Sequence, residues 1–266
     1  MPEPSIKQIR ALTPAGVHAL PHRQPPAPGL PGYAELHCLT NFSFQRGAST
    51  PEELVERAYQ LGYAALAITD ECSVAGVVRA HVCLRDLPGR LDAYEREHPE
   101  EPPIPRNPDF RLLFGSQFRF DRFRLVVIAN DTEGWGNLCE FITAARNTEL
   151  PKGEYRVSWE GSDVASLRHC QILFVPHRQP GGALDRATLH EDLAAARALF
   201  GDDLWLAVEM LNELDDDLWF VTLVEAGAQA GVPFLAAGDV HMHARSRKPL
   251  QDVLAAVREG RTVAEC

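Results

Sequence analysis

No run of apolar residues in this sequence approaches the length of a bilayer span, and the first residues show no basic-then-apolar signal pattern. A cytoplasmic protein without a membrane partner is therefore expected. The six cysteines (38, 72, 83, 139, 170 and 266) form no C-x-x-C pair and no regular spacing. Most lie in apolar surroundings, as buried thiols do, so neither a disulfide framework nor a cysteine zinc site is indicated. Positive charge is scarce: 26 Lys and Arg face 37 Asp and Glu, a net charge of −11. A domain that grips nucleic acid by its phosphates clusters its cations. Here Arg119, Arg122 and Arg124, and the run Arg245 to Lys248, are isolated or interleaved with other residues. Little direct DNA binding by this domain is expected. Also missing are a Gly-rich phosphate loop of the Walker type, a G-x-S-x-G elbow and an H-E-x-x-H helix.

What is present is an alternation of strands and helices in a length, 266 residues, that can bury one large core. Residues 1–32 are too rich in proline for a helix or a central strand and predict an extended arm. The folded domain is expected over 33–266. Tyr33 to Leu39 reads as a first strand. Thr50, Pro51 and Glu53 spell a helix start with a capping box, and Gly62 a stop. Ala64 to Thr69 is then a buried strand, completing a βαβ step.

Residues 88–109 read as a surface excursion. Strands are expected at Leu112 to Phe120, Arg124 to Ala129, Ile172 to Val175, Leu204 to Glu209 and Phe234 to Ala237. Helices are expected from about Glu133 to Arg146, from Leu189 to Phe200 with Thr188 and Glu191 as its capping box, from Asp216 to Gln229, and from about Pro249 to Glu259. This pattern favours a barrel or curved α/β sheet.

In such folds chemistry gathers at the carboxyl ends of strands. His37, Asp70, Glu71, His177, Asp239 and His241 would share one rim. The Asp239-Val240-His241 triplet follows the strand-like run Val232 to Ala237, and side chains two apart on a strand point the same way, so both could reach one metal. The plainer alternative has Asp239 capping the next helix. His243 is expected at the surface, His81 on a helix in a structural role, and Asp215 to Asp217 at a helix start, where acids suit the positive end of the macrodipole.

Five segments, in this order, carry a resemblance: Tyr33 to Phe44, Gly62 to Glu71, Gly115 to Phe118, Leu125 to Asp131 with Gly134 to Cys139, and Ala237 to His241. They resemble the polymerase-and-histidinol-phosphatase (PHP) domain, in particular that of the error-prone branch of bacterial C-family DNA polymerases, relatives of the polymerase III alpha subunit. The resemblance covers about residues 33–266. It implies a distorted seven-stranded (β/α) barrel that in active members holds up to three metals and hydrolyses phosphoesters.

Several positions depart from the active pattern. His37 matches the first ligand, but Leu39 and Arg46 stand where further ligands belong. Glu71 replaces a histidine, Gln117 a bridging glutamate and Arg124 another histidine. Leucine has no donor atom, glutamine is neutral, and arginine adds a fixed positive charge beside a dication's place. Each such charge at roughly 4 Å costs about 4 kcal/mol at an effective dielectric near 20. Inward-pointing arginines would pair instead with Asp239, Glu71 or Asp70.

The resemblance thus implies residual metal positions at His37, Glu71, His177, Asp239 and His241, expected to be unoccupied, with no catalytic residue. One divalent ion (Zn, Mn or Fe) on His37, Asp239 and His241, with His177 or Glu71, is the alternative. No palm-like segment is present, so this chain is expected to be a fragment of a longer, damage-tolerant polymerase. Its own role would be to brace that polymerase's core and thumb; a sliding clamp and other damage-tolerance proteins are partners implied only for the longer chain. The competing reading is an active metal-dependent phosphoesterase or 3′–5′ proofreading exonuclease. A third is a small-molecule phosphatase of the histidinol-phosphate kind.

Overall fold

The computed structural model describes residues 32–147, 149–151, 153–178 and 185–265. The expected proline-rich arm falls on residues outside these, apart from Gly32. Seven strands run in the order β1(Ala34–Glu35), β2(Ala65–Ile68), β3(Arg111–Arg119), β4(Phe123–Ala129), β5(Cys170–Pro176), β6(Leu204–Glu209) and β7(Phe234–Ala237). They pair in sequence order. β4 is antiparallel to both neighbours and every other pairing is parallel. A parallel bridge between Cys38 and Val240 links the two edges and nearly closes the sheet into a barrel.

The helices are α1(Pro51–Gln60), α2(Ala75–Glu97), α3(Thr132–Arg146), α4(Arg186–Phe200), α5(Asp216–Ala230) and α6(Lys248–Glu259). The period of two along each strand sorts the core into layers. Leu66 and Ile68 of β2 face outward onto Leu54, Val55, Leu87 and Leu91 of α1 and α2. Leu125, Val127, Ile172, Phe174, Leu204 and Leu206 face outward onto α3, α4 and α5. Between these residues, Ala67, Val126, Ile128, Leu173, Val175, Ala207 and Ala237 fill the barrel interior with small and branched side chains. Among the described residues no helix is long and apolar enough to cross a membrane.

The capping box of α1 forms as expected. Thr50 Oγ1 accepts from Glu53 N at 3.3 Å and Glu53 Oε2 accepts from Thr50 N at 2.9 Å. Three expectations need correction. The 88–109 excursion does not begin at 88, because α2 runs through Pro88 to Glu97, carried by the burial of Leu87 and Leu91 one turn apart. Its return segment is pinned back by Arg106 on Asp92 and Glu95, and by Asn107 N donating to Tyr59 Oη at 2.7 Å.

Helix α4 starts three residues earlier than read. Asp185, not Thr188, is its cap and accepts from the N–H groups of Ala187 and Thr188, which leaves Thr188 as a donor to Asp185 Oδ2. The first strand is only two residues long. On the last strand, Phe234 is 51% exposed and Ala236 is exposed as well.

Candidate functional site

Alternation along the strands brings polar residues to the rim of the inner face, beyond the apolar layer. Glu209 follows Ala207 by two residues on β6, and Gln117 follows Gly115 on β3. Arg124 lies near the start of β4, yet it reaches the same rim because β4 runs antiparallel: Arg124 pairs with Arg119 at the carboxyl end of β3 and with Val175 near the end of β5. His37 sits two residues past β1 and Asp239 two residues past β7.

His37 is fully buried. Its Nδ1 lies 2.5 Å from Glu209 Oε1 and its Nε2 lies 2.7 Å from Gln117 Oε1 and 3.6 Å from Asp239 Oδ1. The Glu209 carboxylate accepts from Nδ1, and the Gln117 amide faces Nε2. Burial alone would lower the pKa of His37. The hydrogen bond to Glu209 and the charges of Asp239 and Glu209 outweigh it, so the pKa is raised. Arg124 forms the other half of the cluster, its Nη2 donating to Glu209 Oε2 and its Nη1 to Asp239 Oδ2, each at 2.8 Å. Burial opposes ionisation of Asp239, but His241 at 3.1 Å and the charges of His37 and Arg124 hold its carboxyl well below the usual range.

The ligating atoms of His37, Glu209 and Asp239 lie within 4.8 Å of one another, a His/Glu/Asp group that could hold a metal ion. Asp239 is not on a strand. Its φ of +44° is left-handed, a conformation a non-glycine residue adopts at some cost, and it is not a helix cap, since α6 is preceded by Arg247. The two-residue spacing still brings His241 Nε2 to Asp239 Oδ1.

The remaining residues divide into separate clusters. Glu71 is held by Arg46 Nε at 2.5 Å and by the Tyr155 hydroxyl at 3.0 Å, so both expected inward arginines pair with acids. Asp70 pairs with neither arginine. Fully buried, it accepts from Thr40 N at 2.8 Å, from the Thr40 hydroxyl at 2.8 Å and from the Ser43 hydroxyl at 2.6 Å, anchoring the loop after β1; burial still raises its pKa. His177 lies with Nδ1 3.3 Å from the Asp121 carbonyl, its pKa lowered by burial and by the charge of Arg124. Leu39 is fully buried. His243 is not a surface residue: its Nδ1 lies 2.8 Å from Ser49 Oγ. Asp215 and Asp216 both pair with Arg178.

Glu209 was not expected. Its signal was an acid ending an apolar strand run, under the same strand-end rule that selected Asp239. Glu35 precedes His37 by two residues, as Asp239 precedes His241. It is buried, and its Oε1 accepts from His37 N at 2.9 Å and Gly238 N at 3.0 Å, joining β1 to the end of β7 where the barrel closes. A Cβ on Gly238 would lie 2.4 Å from Glu35 Oε2, so this approach needs glycine.

The result is a near-closed barrel of seven strands with polar side chains converging at its rim. Two solved structures have this fold: a Bifidobacterium adolescentis protein named as a metal-dependent phosphoesterase (17% identical, TM-score 0.50, covering 82% of this chain and 89% of that one) and an amidohydrolase from Chromobacterium violaceum (16%, TM-score 0.50, 79% and 88%). The pattern of the PHP domain matches residues 35–205, and the chain belongs to that family. Within it, the chain is similar to error-prone DNA polymerases. It is 47% identical over 244 residues to that of Azoarcus sp. and 41% over 252 residues to that of Ralstonia nicotianae. These matches take in 88% and 90% of this chain but 22% and 21% of the relatives, so it spans about a fifth of their length.

Proposed function

We propose that this chain is the PHP domain of an error-prone DNA polymerase, a structural and interaction module in which fixed side-chain charges replace a metal centre. The observation that carries the reading is the Arg124 guanidinium, 2.8 Å from both Glu209 and Asp239. Each member of the trio is engaged. His37 contacts Glu209 and Gln117, Glu209 accepts from His37 and Arg124, and Asp239 contacts Arg124 and His241. A dication would have to displace Arg124 or endure its charge. The donor set is right in kind for Zn, Mn or Fe, but as arranged, with Arg124 between its two carboxylates, it does not fit one.

The longer chain would be a nucleotidyltransferase of damage-tolerant synthesis in the cytoplasm, with clamp contacts made elsewhere. Metal content by plasma mass spectrometry, after incubation with Zn, Mn and Fe and removal of loose ions, tests the reading. Well under one equivalent per chain is expected. One or more equivalents, lost on His241→Ala, would overturn it.

A second reading has its own support in the spacing of His37, Glu209 and Asp239. An active phosphoesterase or 3′–5′ exonuclease would use a metal there to polarise water beside the scissile phosphate. On that reading a measured nuclease activity disappears in Asp239→Ala. Activity that survived the substitution would rule the metal mechanism out.

A further inference from the structure

Helix α5 has the wrong composition for a surface helix. Its sequence, DDLWFVTLVEAGAQA, is apolar around most of its circumference, a pattern that belongs to helices covered on more than one side. One side is covered: Trp219, Leu223, Ala226 and Gly227 are buried against the barrel. The other presents Leu218, Phe220 and Val221, which are 58%, 41% and 48% exposed. Phe220 meets Phe234 of β7 edge to face at 6.4 Å, so the bare flank of the helix continues onto the bare outer face of β7, with Ala236 beyond.

The next helix does not cover this strand face. Helix α6 is tied to the rim, where Arg247 pairs with Glu53 and Arg258 donates to the Gln45 carbonyl. A contiguous apolar face of this kind on a folded domain marks an interaction surface. Its border is acidic: Glu213 and Asp217 are exposed, and Glu225, also exposed, is met by Arg186 at 3.3 Å.

We infer that the α5–β7 face docks another stretch of the same longer polypeptide, apolar where it meets Phe220, Val221 and Phe234 and basic at its edge. The inference rests on the reading of this chain as one domain of a longer polymerase. The relatives carry roughly four-fifths of their length outside the matched region, which provides ample chain to cover the face. The acidic border sets the charge of the segment that fits.

The test is made in the full-length polymerase, with the photoreactive residue benzoylphenylalanine in place of Phe220 and the cross-linked peptides mapped by mass spectrometry. The expected product joins position 220 to a peptide of the same polypeptide outside residues 1–266. A cross-link to a second copy, a cross-link confined to residues 1–266, or addition of water alone overturns the inference. As an independent arm, Val221→Glu is expected to speed tryptic separation of this domain from the rest of the full-length chain; an unchanged rate overturns it. A full-length chain without polymerase activity would sink the domain reading itself, whereas an active polymerase lacking the cross-link would sink only the docking face.

Discussion

Replacing Arg124 by methionine keeps much of the side chain's length and removes its charge. The guanidinium serves two carboxylates at once, and all three side chains are well shielded: Arg124 is 14% exposed, Glu209 7% and Asp239 12%. Removing one partner of a buried ion pair costs about 3–5 kcal/mol, because the other charge stays buried and uncompensated. His37 still donates to Glu209, which favours the lower half of that range. With a urea m-value of about 1–3 kcal/mol/M, the unfolding midpoint at neutral pH should fall by at least about 1 M. Arg124→Lys should lie in between, since an ammonium keeps the charge but cannot reproduce the fork that bridges Glu209 and Asp239.

The same substitution separates a charge-filled site from a metal site. In the parent chain, added Mn2+ should leave the midpoint where it is. In Arg124→Met, the two carboxylates lose their cation, and Mn2+ should recover stability along a saturation curve worth about 2.7 kcal/mol at a hundred times Kd. Mn2+ is preferred to Zn2+ because thiols of the unfolded chain would compete for zinc. A loss below about 0.5 kcal/mol, the scatter of ordinary surface substitutions, would refute the argument that Arg124 neutralises the cluster. So would a parent chain that Mn2+ stabilises as strongly as the variant.

Gly238→Ala should destabilise by about 1–3 kcal/mol, the usual cost of overpacking, because its methyl would lie 2.4 Å from Glu35 Oε2 at the barrel seam; an unchanged thermal midpoint would refute it. Asp70→Ala strands the Thr40 N–H and the Thr40 and Ser43 hydroxyls, at about 1–3 kcal/mol for each buried donor left unpaired, and hydrogen exchange should show the loop after β1 opening; protection equal to the parent's would refute it. The pH dependence carries a definite sign. The pKa of His37 is raised, so its contribution is complete below its ordinary value of 6.5 and fades as pH rises through the folded value. The stability gap between parent and His37→Gln should therefore narrow on the alkaline side. Asp239 acts oppositely: its carboxyl is depressed below 3.8, so its contribution is present above that pH and disappears only in stronger acid.

The sequence made most of the fold legible, because strand and helix signals depend on neighbours. The capping box at Thr50 and Glu53, the stop at Gly62 and the apolar runs of β4 and β6 are local chemistry. Helix α2 escaped because proline is a weaker veto than the burial of Leu87 and Leu91, and that burial exists only once α1 packs beside it. At the site, the pairing of inward arginines with Asp239 and Glu71 could be anticipated from charge alone.

The partners that matter most could not be read in this way. Arg124 meets Glu209 across 85 positions and His37 meets Glu209 across 172, contacts fixed by barrel register and not by any motif. The register also gives a reason for arginine at this place. β4 runs against its neighbours, so a residue near its start reaches the rim from between β3 and β5, level with the carboxyl ends of the other strands. From that position a long side chain with two terminal nitrogens spans the last residue of β6 and the turn after β7 together. A shorter histidine there would reach at most one of them and leave the second carboxylate to an external cation. The length and fork of one side chain can thus decide whether this rim is closed by the protein's own charge or left open to an ion.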